Sequence, residues 1–213
     1  MSARMSIGIL GAGKIGRAFA HALFSAGIRA KIANSRDPIS LTSALGELQP
    51  LITPVDRDEA ASADIVLVAV PWSKLPTAFA GLPAWKNRIV IDANNPVETP
   101  LVHSVHPLFS SEVVAQLAPD ARIVKAFNYL QPHQMVAHTQ LDGHKRVQFY
   151  AGDDKHAKAD VAALIDELGF LGVDLGSLRE GSRLIQYPGG VLAGLDLIKA
   201  DHIRRPKLHN VLR

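Results

Sequence analysis

A strand, a glycine-rich turn and a helix follow one another without a gap from Met5 to Gly27, and this constrains the fold more than anything else in the chain. Met5-Ser6-Ile7-Gly8-Ile9-Leu10 is an apolar run that predicts a buried strand. It leads into Gly11-Ala12-Gly13-Lys14-Ile15-Gly16, a G-x-G-x-x-G. Ile15, Phe19, Leu23 and Ala26 then recur at helical spacing, Gly27 stops the helix, and Ala30 to Ala33 reads as a second strand. Alone, the glycine pattern is weak. Between a strand and a helix, with a second strand at the right distance, it predicts a dinucleotide-binding βαβ unit. Gly11 serves the tight turn. Gly13 lets backbone N–H groups approach a pyrophosphate at the positive helix end, and Gly16 lets the helix lie close to the strand. Ala12, Lys14 and Ile15 complete the expected loop.

The residues after the second strand select the dinucleotide. An Asp or Glu there would accept hydrogen bonds from a ribose 2′-hydroxyl and repel a 2′-phosphate. The chain instead has Asn34-Ser35-Arg36, a hydroxyl and a guanidinium suited to a phosphate, so the expected cofactor is NADP(H). Asp37 follows, where it can orient the arginine.

The rest alternates strand and helix, which predicts an α/β fold with a doubly wound, mostly parallel sheet. Expected strands are Leu51–Val55, interrupted by Pro54, then Asp64–Val70, Arg88–Asp92, Arg122–Ala126, Arg146–Ala151 and Phe170–Leu175. Expected helices are Ile39–Leu48, Leu75–Ala80, one capped by Ser110 or Ser111 and running to Leu117, and Lys155–Leu168. The reading divides the chain into residues 1–176, a nucleotide-binding domain, and 177–213, an irregular C-terminal appendage. Ligands of open parallel sheets bind beyond the carboxyl ends of the strands. Three such loops stand out: Val70-Pro71-Trp72, Asp92-Ala93-Asn94-Asn95-Pro96 and Lys125-Ala126-Phe127-Asn128. Pro71 can pack near a ribose or nicotinamide, and Asn94, Asn95 and Asn128 offer amides to ribose or carboxamide groups. Lys125 either balances an anionic group or faces solvent.

At 213 residues, 47% of them hydrophobic, the chain has ample apolar content for one core. A formal net charge of +3 without a dense basic run fits anionic small molecules and gives no nucleic-acid signature. The absence of cysteine excludes disulfides, thiolate catalysis and cysteine-ligated zinc. His103 and His106 form His-x-x-His between Pro100 and Pro107, and His133 and His138 lie nearby. The flanking prolines disfavour the helix a metal pair needs, so no metal is expected. No apolar run approaches the ~20 residues of a membrane helix, and the first strand begins too early for a signal peptide. The expectation is a cytoplasmic protein without membrane or nucleic-acid partners.

The ordered set Ile9–Gly16, Asn34-Ser35-Arg36, Ala69–Trp72, Asp92–Pro96, Val124–Asn128, Ala151-Gly152-Asp153-Asp154 and Asp174-Leu175-Gly176 resembles the NADPH:coenzyme F420 oxidoreductase family, small Rossmann proteins of this length. The resemblance implies NADP(H) as cofactor and hydride exchange with a deazaflavin (F420). In a similar domain of membrane metalloreductases, a flavin takes the hydride. The residues agree with a mechanism that needs no protein acid. None of Tyr129, Tyr150 and Tyr187 has a lysine four positions on, and fewer than ~50 residues follow the last strand, too few for a second catalytic domain. Two alternatives stay open: reduction of a small carbonyl or imine with His133 or Lys125 as acid, and a non-catalytic NADP(H)-binding redox sensor. Tyr187-Pro188-Gly189-Gly190 and Val191–Ile198 are expected either to complete the acceptor cleft or to form a homodimer contact.

Overall fold

The structure, a computed structural model, describes residues 5–97, 110–137, 140–141 and 143–199. Strands β1 (Ile7–Leu10), β2 (Ala30–Ala33), β3 (Ile52–Pro54), β4 (Ile65–Val68), β5 (Ile89–Asp92), β6 (Arg122–Ala126), β9 (Val147–Gly152) and β10 (Leu171–Asp174) form one sheet. Its order is β10-β9-β6-β5-β4-β1-β2-β3. Pairing is parallel except between β6 and β9. A small hairpin, β7 (Gln140–Leu141) with β8 (His144–Lys145), precedes β9. The expected mostly parallel, doubly wound sheet is therefore the fold observed, and the strand order reverses at β1, with β2 and β3 on one side and β4 to β6 on the other.

Alternation along the central strands builds two apolar layers. Ile9, Leu67, Ile89 and Ile91 face one side, where α1 (Lys14–Ser25) and the helix Lys155–Glu167 pack with Phe19, Leu23, Val161 and Ile165. Leu10, Val66, Val68 and Val90 face the other, against Ala60, Leu75, Phe79 and Val114. A strand buried on both faces must be apolar at every position, as Ile65-Val66-Leu67-Val68 is. Phe127 joins the first layer edge-on to Phe19, centroids 4.9 Å apart.

The remaining helices of the described chain, numbered in order, are α2 (Ile39–Leu45), α3 (Arg57–Ala61), α4 (Leu75–Phe79), α5 (Ser110–Leu117), α6 (Pro132–Ala137), α7 (Lys155–Glu167) and α8 (Leu178–Ile185). Pro54 is tolerated because β3 is an edge strand bonded only to β2. Ser110 and Ser111 do not cap α5. They lie within its first turn, buried, with their side chains used elsewhere.

The appendage is not irregular throughout, which corrects the sequence reading. Ser177 accepts a hydrogen bond from Glu180 N and starts α8. Its buried stripe is Leu178, Gly181, Ser182 and Ile185. Half of that stripe is glycine and serine, which read as loop residues. They are there because α8 presses on the sheet: a Cβ on Gly181 would lie 2.9 Å from Leu175 Cβ and nearer still to Ala151. After α8 the chain returns to the start of β9. Val147 N donates to Leu197 O at 2.8 Å, and Arg146 pairs with Asp196 at 2.6 Å. Val191, Leu195 and Leu197 stay exposed while Leu192 packs against the core, so backbone pairing and an ion pair anchor this segment together with limited apolar burial.

Candidate functional site

The site begins at the end of β1. Gly11 has φ +107°, and a Cβ there would lie 2.7 Å from the Ala69 carbonyl carbon, so the turn needs glycine for both conformation and space. Gly16 is packed against the same turn, where a Cβ would overlap the Gly11 carbonyl, its carbon 3.0 Å away. Gly13 differs. It caps α1 in an extended conformation, and nothing lies within 4 Å of the Cβ it lacks. No side chain caps α1 and its first turn holds no acid. Its free N–H groups and positive end face open space, as an anion site requires.

That space is a cleft of about 840 Å³, within the usual range for small-molecule sites. Gly11, Ala12 and Gly13 form its floor. Asn34, Ser35 and Arg36 stand on one side, and Ala69, Val70 and Pro71 on the other. Lys14, Ile15 and Gly16 belong to α1 behind the turn and do not line it. The loop after β2 is shaped by its own polar groups. Asn34 Oδ1 accepts from Arg36 N at 2.8 Å, an Asx turn that leaves Ser35 and Arg36 exposed toward the cleft. Asn34 Nδ2 donates to Ser40 Oγ at 3.0 Å. Asp37 does not orient Arg36: its carboxylate accepts from Ser40 N at 2.9 Å.

Asn94 and Asn128 are not on the cleft wall. Asn94 is buried, with Oδ1 accepting from Val70 N at 3.0 Å and Nδ2 donating to Asp92 Oδ1 at 2.8 Å. It ties the Val70 turn to the end of β5. Asn128, also buried, donates to Asn95 Oδ1 at 3.0 Å and to Ile185 O at 2.8 Å. Asn95 in turn donates to Asn128 O and accepts from Tyr187 N at 3.0 Å. The asparagines bind the strand-end loops to one another and to the tail. Their amide N–H groups are engaged by protein, while Asn128 Oδ1 is buried without a hydrogen-bond partner among the described residues.

Lys125 does not face solvent. It is fully buried, and its three ammonium protons go to Asp92 Oδ2 at 3.0 Å, Ser110 Oγ at 3.1 Å and Asn94 O. Asp92 Oδ2 also accepts from Ser111 Oγ at 2.8 Å, and its Oδ1 from Asn94 N at 2.9 Å. Burial pulls the lysine pKa down, opposed by the Asp92 charge. His133 is exposed on α6, while His103, His106 and His138 lie outside the described residues. Among the described residues no cluster of three His, Asp or Glu could hold a metal ion, and no helix is long and apolar enough to cross a membrane.

Arg17, Arg57, Lys74 and Thr77 also line the cleft, and the sequence reading missed all four. Arg17 was within reach, one residue past the glycine pattern on the first turn of α1. For α8 the missed signal was Ser177-Leu-Arg-Glu180, a capping box.

Fold and cleft together give a doubly wound α/β domain with the open glycine turn that a dinucleotide's pyrophosphate requires. Residues 6–96 match the family described as NADP oxidoreductase, coenzyme F420-dependent. A crystal structure of a hypothetical protein from Sinorhizobium meliloti is 37% identical, with a TM-score of 0.86, over 92% of this chain and 97% of that one. A protein from Arthrobacter sp. FB24 described as an F420-dependent NADP-reductase is 28% identical, with a TM-score of 0.66, over 82% of this chain and 86% of that one. Metalloreductase STEAP3 of Rattus norvegicus is 28% identical over 183 residues, 85% of this chain. The chain spans 36% of that relative's length. The chain belongs to the coenzyme F420-dependent NADP oxidoreductase family, and its class is that of the NADP-dependent oxidoreductases.

Proposed function

We propose that this chain binds NADP(H) across the cleft and exchanges hydride directly with a ring-shaped acceptor, a deazaflavin or a flavin. The observation that carries this reading is the pairing of an open Gly13 cradle with Ser35 and Arg36 on the side where NAD enzymes place an acid. Backbone N–H groups of the turn and first helical turn hold the pyrophosphate, and Ser35 and Arg36 hold the 2′-phosphate. Strand order directs the rest. The adenosine half lies toward β2 and β3, so the nicotinamide lies toward β4 and β5, against Val70 and Pro71. Asn94 positions that wall through Val70 N. Asn95 and Asn128 fasten the tail beside it through Tyr187 N and Ile185 O, so that Tyr187–Gly190 forms one wall of the acceptor pocket.

The bound cofactor supplies the hydride; the protein's part is to stack and align two rings with the reacting carbons roughly 3–3.5 Å apart. Lys125 cannot serve a carbonyl as acid, because all its protons are donated inside the core. The Arthrobacter relative's description supports F420 as acceptor, and the metalloreductase relatives are compatible with other acceptors.

The test is to mix protein with NADPH and follow absorbance at 340 nm with F420, FMN, FAD and small carbonyls in turn. Turnover with F420 or a flavin is expected. Turnover with carbonyls alone, or tight NADPH binding without turnover on any acceptor, overturns the reading.

A further inference from the structure

Arg57 lies far from the glycine turn in sequence, yet it lines the same cleft. It opens α3 just past β3, the edge strand beside β2. In this strand order the end of β3 flanks the adenosine side of the cleft. Leu41 and Ala44 of α2 and Ala78 of α4 line the same cleft, apolar side chains suited to a flat uncharged ring.

The guanidinium is already held by protein. Arg57 Nε and Nη2 each lie 3.1 Å from Asp58 Oδ1, and Nη1 donates to Thr77 O at 3.3 Å. The Thr77 contact spans the cleft's outer end, from the β3 side to the helix after β4. All three nitrogens have protein partners, and the Asp58 carboxylate offsets the charge. A further phosphate would have to compete with that carboxylate, whereas a ring stacked on the guanidinium plane would not. Arginine suits such a face, being weakly hydrated and able to stack on aromatic rings.

We infer that Arg57 is the adenine platform of this cleft: its guanidinium stacks on the purine while Arg36 takes the 2′-phosphate. The inference rests on the proposed NADP(H) reading. It assigns the two arginines to different parts of one cofactor, so their losses must differ in pattern. Adenine is common to NADPH and NADH, whereas the 2′-phosphate is not.

The experiment is calorimetric titration of NADPH and of NADH into wild type, Arg57→Ala and Arg57→Lys, with thermal unfolding of each. Arg57→Ala should weaken both cofactors alike, by about two- to thirty-fold, the span of a cation–π contact. Arg57→Lys should recover only part of the loss, since an ammonium keeps a cation–π attraction but has no flat face to stack on the ring. It also decides the matter where the alanine variant fails to fold: losing both cofactors alike supports the platform, and wild-type affinity refutes it. A loss confined to NADPH makes Arg57 a phosphate contact and overturns the inference, as does a change below about two-fold for both cofactors. Wild-type protein that binds neither cofactor defeats the cleft assignment and this inference together. Normal wild-type binding with an unaffected Arg57→Ala variant defeats this inference alone.

Discussion

Gly13 and Gly16 sit three residues apart in one turn, and the structure predicts opposite consequences for enlarging them. Gly13 has backbone angles any residue can adopt, φ −73° and ψ −167°, and an added Cβ meets nothing within 4 Å. Gly13→Val should therefore fold. Its cost is that of a poor helix cap, about 0.5–1 kcal/mol, or roughly 1–4 °C in Tm for a chain of this size. The added methyls stand where backbone N–H groups must meet the pyrophosphate. Losing two charge-assisted hydrogen bonds, at about 1.5–3 kcal/mol each, weakens NADPH by about 3–6 kcal/mol, or roughly 10²- to 10⁴-fold. Gly16→Ala instead drives a methyl into the Gly11 carbonyl, a backbone atom that cannot step aside. It should lower stability by about 1–3 kcal/mol or more and disturb the turn itself. Circular dichroism, thermal unfolding and NADPH titration on both variants make the comparison. A Gly13→Val protein with affinity within about three-fold of wild type would place the phosphates elsewhere. A Gly16→Ala protein with unchanged Tm would refute the packing argument.

Lys125→Met strands the Asp92 carboxylate in the core and should cost about 3–5 kcal/mol in chemical denaturation; adding Asp92→Asn should recover most of that, and additive losses would contradict a coupled pair. Asp64 is held below its ordinary pKa of 3.8 by the Ser6 hydroxyl first and the Ser6 N–H second. The depressed folded value means this latch contributes fully above the unfolded pKa and is lost as pH falls through the folded one. Tm differences between wild type and Asp64→Asn should accordingly shrink on acidification below about pH 4, and a constant difference would remove Asp64 as the cause. Gly190→Ala meets carbonyl oxygens of Leu184 at 2.5 Å, Gln186 at 2.7 Å and Arg183 at 2.8 Å. It should raise the acceptor KM or lower kcat with NADPH affinity almost unchanged; wild-type acceptor kinetics would take the tail out of the pocket.

The fold was legible because its signals are local. Runs such as Ile65–Val68 are apolar on both faces, and the glycine turn announces its strand and helix. α8 was hidden because the face it buries is partly Gly181 and Ser182, chosen for closeness to β9 rather than for hydrophobicity. Around the cleft, residues adjacent in sequence to the turn and to β2 were readable. Arg57 and Thr77 were not, since only strand order brings the ends of β3 and β4 to one opening. The asparagines and Lys125 lie at strand ends, as ligand residues do. Whether such an amide or ammonium turns outward or inward depends on partners as distant as Ser110, Ile185 and Tyr187, which no local pattern reveals.

The central claim is that Ser35 and Arg36 make this an NADP(H) site, and Arg36→Ala tests it most directly. NADPH and NADH are titrated into wild type and variant under one salt condition. Wild type should prefer NADPH strongly. The variant should lose about 1.5–3 kcal/mol of NADPH binding, the value of a charge-assisted hydrogen bond, and little NADH binding. Equal losses for both cofactors, or wild-type protein that does not distinguish them, would contradict the account.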